Sequence, residues 1–256
     1  MCLELVRHGN QENQNTKVTK VLKIFVGYDG EIEPVAYHAF CQSVIEKSSV
    51  PVSFTPLALN TLNEYTENHQ DGSNAFSYSR FLVPYLCDYE GIAIFCDGDM
   101  ICNGDIAELV NYVIEDQSKA VFVVKHDYKT KHPVKYLGNK NEDYPRKNWS
   151  SVILFNNTHN KDLTLEAVMN NDGKYLHRFS WLKDDQIGEL PIEWNYLESE
   201  NEPMDNIKLI HYTIGTPCFE GYKDTDNAYH WLDVYARMIH PIDVNEFQDY
   251  WLNDLE

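Results

Sequence analysis

With 256 residues, 43% hydrophobic and 13% aromatic, the chain is long enough to bury a sizeable core and too apolar to stay disordered. Its 40 acidic residues against 21 basic ones give a net charge of −19, which repels nucleic-acid backbones and anionic membrane surfaces. A nucleotide ligand remains compatible with that charge, because a bound metal ion inverts the local sign.

Residues 1–20 lack the apolar segment expected of a signal peptide and, with Gln11–Thr19 polar, read as a loose extension. Val21–Tyr28 (VLKIFVGY), closed by Asp29-Gly30, predicts the first strand. Val35–Ile45 has helical periodicity, Val52–Leu57 reads as a second strand and Thr61–Asn74 as a polar loop. Ala75–Tyr85 predicts a helix with Phe76, Phe81, Leu82 and Tyr85 on one side. Ile92–Phe95 has no polar break, the pattern of a central strand covered on both faces. A helix around Asp105–Ile114 and a strand at Ala120–Val124 complete a strand–helix alternation, which predicts an α/β fold with a largely parallel sheet.

Beyond that point the pattern loosens. His126–Asn148 is long, polar and rich in Lys and Tyr, which predicts a substrate-facing excursion more than a core element. Ser151–Phe155 and Lys208–Tyr212 read as strands, Leu163–Met169 as a short helix, and 227–255 as two helices broken at Pro241. Trp231, Leu232, Tyr235, Met238 and Ile239 form a stripe suited to core packing. The six cysteines contain no CxxC pair, so they read as small buried hydrophobes in a reducing compartment. No segment approaches the roughly 20 apolar residues needed to span a bilayer. A cytoplasmic location is expected.

Four sets of residues carry chemistry. Asp97-Gly98-Asp99 follows the central strand, and carboxylates there sit at the sheet edge where open α/β folds bind ligands. Gly98 is expected to let the backbone turn tightly enough for both aspartates to reach one divalent cation. His211 ends an apolar strand and opens HYTIGTP, where an imidazole can complete an oxygen-rich metal site. Arg80, flanked by apolar residues, reads as a semi-buried cation that requires an anionic partner. Asp184-Asp185-Gln186 alone reads as a helix cap.

The order GYD, SRF, CDGD, SSVILFN, DDQ, LPIEWN, HYTIGTP resembles the family 8 glycosyltransferases over roughly Lys23 to Tyr222. The resemblance implies the glycosyltransferase-A fold, α/β with a mixed, mostly parallel sheet flanked by helices. It also implies a retaining, Mn²⁺- or Mg²⁺-dependent hexosyltransferase that takes a UDP-sugar and gives an α-linked product. The acceptor would be a glycan, of lipopolysaccharide type or otherwise, or a protein. By the same resemblance Asp97 and Asp99 form the DxD motif, with His211 as third metal ligand. Val26, Tyr28 and Asp29 would meet the nucleoside, Gly98 and Gly215 the phosphates, and Arg80 the donor sugar or the DxD carboxylates. Asp185 and Gln186 would lie beside the anomeric carbon.

Two positions depart from the family pattern. Trp149 stands where many members place Asn, with Asn148 one step earlier. The turn after His211 lacks the family's lysine, leaving Thr216 or Lys223 as candidates to meet the leaving phosphate. The organisation expected is an extension at 1–20 and one domain at 21–256. Within it, 21–125 is the nucleotide half, 126–225 the acceptor half and 226–256 the C-terminal helices. A carbohydrate-binding protein without catalysis and a sugar-nucleotide nucleotidyltransferase are the alternatives; the acidic GYDGEIEP turn lacks the basic, Gly-rich loop of the latter.

Overall fold

The computed structural model describes residues 21–69, 72 and 74–239. The expected extension at 1–20, the break at Pro241 and the end of the expected C-terminal helices lie outside the described residues. In chain order, β1 (Leu22–Gly27), α1 (Pro34–Lys47) and β2 (Val52–Leu57) come first. After a 3₁₀ turn at Ser79–Leu82 come α2 (Val83–Leu86), β3 (Ile92–Cys96) and β4 (Met100–Cys102). Then follow α3 (Val110–Glu115), β5 (Val121–Val124), β6 (Val152–Asn156), α4 (Leu165–Asn170) and α5 (Gly173–His177). Last are β7 (Ile187–Leu190), β8 (Tyr196–Leu197), β9 (Leu209–His211) and α6 (Ala228–Ile239).

The main sheet has the order β2-β1-β3-β6-β5-β7. β1 runs parallel to β2 and β3, and β5 parallel to β7, while β6 is antiparallel to both its neighbours. The sheet is therefore mixed and mostly parallel, as expected. Period-2 alternation sorts its side chains into two cores. Leu22, Ile24, Val26, Ile92, Ile94, Cys96, Val152 and Leu154 meet α1 on one face. Phe25, Ala93, Phe95, Ile153 and Phe155 meet Phe81, Leu82, Val168 and Leu176 on the other. Coverage on both faces explains the unbroken apolar run of β3.

The chain between Ala75 and Tyr85 is not one amphipathic helix. It is irregular up to a 3₁₀ turn that passes into α2, with Pro84 tolerated in the first turn. Tyr85 points away from the core and donates to Glu64 Oε2 at 2.8 Å. The Lys208–Tyr212 strand is shorter than expected, and β4, α5, β7 and β8 were not expected. β4 and β9 pair antiparallel and β8 joins β9 in parallel, making a second, small sheet. Ile101, Ile210 and Tyr212 of this layer bury Trp231 and Val234 of α6. Leu232, Met238 and Ile239, expected in that stripe, stay exposed.

Candidate active site

Two ladder relationships build the site. β3 and β6 run in opposite directions with Cys96 opposite Val152, so the end of β3 meets the start of β6, and Asp97 N donates to Ser151 O at 2.9 Å. β4 leaves the Asp97-Gly98-Asp99 turn at once and pairs Met100 with His211, while Tyr212 N donates to Asp99 O at 2.9 Å. A histidine remote in sequence is thereby held beside the aspartates. One ligand atom from each of Asp97, Asp99 and His211 lies within 4.8 Å of the other two. His211 Nε2 is 3.4 Å from Asp99 Oδ1 and 3.8 Å from Asp97 Oδ2.

Gly98 is required for a reason other than the expected turn freedom. A Cβ at this position would run into the carbonyl oxygen of Gly27 at the end of β1. The glycine lets β1 and the Asp97–Asp99 turn touch.

Arg80 finds the anionic partner its sequence context demanded. Its Nη1 is 2.7 Å from Asp97 Oδ1 and 2.9 Å from the Ser150 carbonyl, and Nε donates to Ser77 O at 3.1 Å. The guanidinium also lies 5.0 Å from the Phe95 ring centre. The Asp97 contact is off the line of an N–H bond, so it acts as charge proximity, and Asp97 Oδ1 has no directed donor. Asp99 Oδ1 is likewise buried without a donor. Asp99 Oδ1, buried without a donor, and Asp97 Oδ2 both face the His211 Nε2 lone pair, an arrangement that fits a divalent cation.

Electrostatics sharpen the picture. Burial pushes Asp97 up to about 6, with Arg80 opposing the rise. Burial also acts to raise Asp99, but the nearby His211 overrides it and holds Asp99 below the usual carboxylate range. Glu33, just before α1, is a third buried carboxyl beside this pair. Burial first and the Asp99 charge second push it up to about 8, and it accepts the Thr216 hydroxyl at 2.6 Å.

Asn195 and Lys135 are site residues that sequence reasoning missed. Asn195 Oδ1 lies 3.1 Å from His211 Nδ1, and its amide nitrogen reaches Ser151 Oγ at 2.8 Å. Ser151 Oγ gives its proton to the Asn148 carbonyl at 2.7 Å, so it must accept from Asn195. The chain of donors therefore fixes Nδ1 of His211 as the protonated nitrogen and leaves the Nε2 lone pair facing the aspartates. Lys135 comes from the His126–Asn148 segment; its Nζ donates to Thr213 Oγ1 at 2.9 Å, and burial lowers its pKa against the pull of Asp99 and Asp97. The Lys/Tyr-rich character of that segment was its only signal. Of the two candidates for the missing lysine, Thr216 donates to Glu33 and Lys223 pairs with exposed Glu220 at 2.5 Å.

The other expected residues divide. Val26 is in the core, Tyr28 packs edge-on to Tyr37 at 5.4 Å, and Asp29 accepts from the backbone N–H groups of Glu31, Ile32 and Ala75. Gly215 lies under Tyr222, whose ring a Cβ would meet at 2.6 Å. These four residues flank the site and do not line its cavity. Asp185 and Gln186 are not brought to the aspartates at all. They precede β7, which begins with Ile187 opposite Val121, at the sheet edge opposite to Asp97. There Gln186 Oε1 caps Lys183 N at 3.0 Å and the Asp185 carbonyl accepts from Lys119 Nζ at 2.8 Å.

The cavity above the cluster is about 500 Å³, within the range of small-molecule sites. Buried Arg80, Asp97, His211 and Tyr78 line it together with Asp99, Lys135, Asn148 and the exposed Tyr144. Lys147 buttresses the 126–148 segment by donating to Asn141 Oδ1 at 2.5 Å and Thr130 Oγ1 at 3.0 Å.

This sheet order and a carboxylate pair at the edge of β3 define a glycosyltransferase-A fold. The bifunctional glycosyltransferase WbbM superposes with a TM-score of 0.57 at 14% identity, over 87% of this chain and 51% of that one, so the chain spans about half of WbbM. The glycosyltransferase GlyE of Streptococcus pneumoniae TIGR4 superposes with 0.55 at 13% identity, over 92% and 64%. The galactosyltransferase LgtC, crystallised with donor and acceptor sugar analogs, superposes with 0.53 at 10% identity, over 88% and 98%. By sequence the chain belongs to the family of Protein CDI of Arabidopsis thaliana, with 39% identity over 255 residues, 95% of this chain and 90% of that protein. No family model matches. Among the described residues, no helix is long and apolar enough to cross a membrane.

Proposed function

We propose that the chain is a retaining glycosyltransferase of family 8 type that moves a hexose from a UDP-sugar to a hydroxyl acceptor and gives an α-linked product. The observation that carries this reading is the Asp97–Asp99–His211 cluster at the carboxyl edge of β3, with the His211 Nε2 lone pair aimed into it. Asp97, Asp99 and His211 would hold Mn²⁺ or Mg²⁺, an N/O donor set that suits either ion. A divalent ion bound there supplies Lewis-acid stabilisation of the leaving diphosphate.

The chain's own residues do the rest. Arg80 fixes Asp97 and favours its ionised form. Lys135 adds positive charge beside the leaving group, in the role that family members give to a lysine after the metal-binding histidine. Of the carboxylates lining the cavity, Asp97 and Asp99 would be committed to the ion and Glu142 is exposed, so no buried carboxylate there is left preorganised as a nucleophile. Same-face attack, with the leaving phosphate taking the acceptor's proton, is therefore the favoured route to retention. The end of β1, with Tyr28 and Asp29, is assigned to the nucleoside, and 126–148 to the acceptor side, within one domain at 21–256.

The test is UDP release from a panel of UDP-sugars with Mn²⁺ and then with EDTA, alongside calorimetry of UDP binding. Release that EDTA and Asp97→Asn or Asp99→Asn abolish, with the fold retained, is expected. Absence of both UDP release and Mn²⁺-dependent UDP binding overturns the reading.

A further inference from the structure

The protein is acidic, yet its cavity is basic. Six Lys or Arg side chains line it against three carboxylates, whereas the whole chain carries 21 against 40. Inside the cavity this surplus is partly consumed. With donor bound, the two aspartates would hold a divalent ion, Arg80 is shared with Asp97, and Lys135 would face the diphosphate. Lys147 is occupied by Asn141, Thr130 and the Glu142 carbonyl. Lys140, Lys174 and Arg178 remain.

Those three cations stand at the mouth. Lys140 comes from the 126–148 segment, Lys174 lies in α5 and Arg178 directly follows it. Lys140 and Lys174 are exposed and Arg178 is half-buried, and among the described residues none of the three side chains makes a hydrogen bond or ion pair. Lys174 and Arg178 are four residues apart and line the same cavity, which brings their head groups within reach of one anion. Tyr144, exposed on the same cavity, gives the region a flat apolar surface on which a sugar ring can stack, while Tyr78 is buried against His69 and backs Gly173 from within.

Resting on the glycosyltransferase reading, we propose that the acceptor is anionic: it presents a carboxylate or a phosphate to Lys174 and Arg178 at the cavity mouth, which Lys140 also lines. Position assigns the anion to the acceptor. Arg80 and Lys135, assigned to the donor's charges, are buried and half-buried, while Lys140 and Lys174 face solvent, where a second substrate would enter. A guanidinium and an ammonium on one oxyanion give both orientation and selection against a neutral glycan.

The experiment uses the full chain at low salt with Mn²⁺ and UDP present. Two matched pairs serve as probes: p-nitrophenyl β-glucuronide against p-nitrophenyl β-glucoside, and glucose 6-phosphate against glucose. Binding is measured by calorimetry. At least one anionic member should bind ten-fold or more tightly than its neutral partner. That preference should collapse in Lys174→Gln/Arg178→Gln and return in Lys174→Arg/Arg178→Lys, with UDP affinity unchanged throughout. Equal binding within both pairs, or a preference that survives the double substitution, overturns the proposal and leaves the glycosyltransferase reading intact. If UDP release from UDP-glucuronate, and not acceptor discrimination, depends on the two residues, the anion belongs to the donor and the acceptor assignment fails. Loss of Mn²⁺-dependent UDP binding in the unaltered chain sinks the underlying reading instead, and is scored separately in the same titration.

Discussion

Asn195 Oδ1 accepts the Nδ1–H of His211 at 3.1 Å, and this contact sets the proton on the far side of the ring from Asp97 and Asp99. Partners of this kind orient a ligating imidazole and typically account for about 10–100-fold in metal affinity. Asn195→Ala is therefore expected to weaken Mn²⁺ binding by roughly that factor while the circular dichroism spectrum is kept. Asn195→Asp, which still accepts at the same place, should lose far less. Equal losses in the two variants would show that Asn195 acts through packing alone.

The buried Glu33 makes stability depend on pH. Its folded value is raised from 4.5 to about 8, so between those values the folded chain keeps a proton that the unfolded chain has lost. Stability is then fully present below pH 4.5 and falls as pH rises to 8. Each unit of such a shift is worth about 1.4 kcal/mol. With EDTA present, Glu33→Gln should flatten the fall and melt higher than wild type at pH 9, by roughly 2–4 °C for each kcal/mol recovered. Parallel melting curves for the two proteins from pH 5 to 9 would exclude Glu33 as the source.

Gly98→Ala drives a methyl group into the Gly27 carbonyl. Backbone has no rotamer to escape with, so the end of β1 and the Asp97–Asp99 turn must part. We expect a stability loss of about 1–3 kcal/mol, typical of overpacking. The loss of Mn²⁺ and UDP binding should be larger than that of Asn195→Ala, because both sides of the site move. Calorimetry and thermal melting read the two effects separately.

The parts of the fold visible in the sequence were those where one physical signal dominated. β1, β3, β5 and β6 announced themselves through apolar runs, because both faces of the main sheet are covered there, whereas edge strand β2, VSFTPL, showed alternating apolar and polar residues. β7 did not, since its sequence IGEL carries an exposed Glu189 and a Gly188 that makes room for Phe122. β4 went unread, because nothing in DGDM says that the chain changes sheets there. The metal-type triad was legible from residue chemistry at strand ends. Asn195 and Lys135 were not, because their roles come from the β8–β9 neighbourhood and from a lysine of an irregular segment, which carry no periodicity.

Asp185 and Gln186 show how motif order can mislead about place. Gln186 caps Lys183 and Asp185 holds Lys119 through its carbonyl, both at the sheet edge away from Asp97. Asp185→Ala should leave UDP release nearly unchanged, since a backbone carbonyl survives the substitution. Gln186→Ala should cost stability by about 1 kcal/mol, the usual worth of a side-chain cap, with turnover within a few-fold of wild type. A loss of a thousand-fold in turnover with normal melting would return both residues to the reacting centre.

Lys135 and Lys223 separate two accounts of how the leaving diphosphate is neutralised. Lys223 is exposed and tied to Glu220, three residues away in its own turn. Lys135 is half-buried, its head group on Thr213, and it feels the charges of Asp99 and Asp97. Removing a cation that meets an anion costs about 1.5–3 kcal/mol, which is roughly 10–100-fold in affinity. Lys135→Met should weaken UDP binding by that factor. It should also leave Mn²⁺ binding equal or slightly tighter, because the ion loses a competitor for the two carboxylates. Lys223→Met should change neither quantity. Weaker UDP binding in Lys223→Met with a normal Lys135→Met would move the charge that meets the diphosphate from the 126–148 segment to the turn after β9.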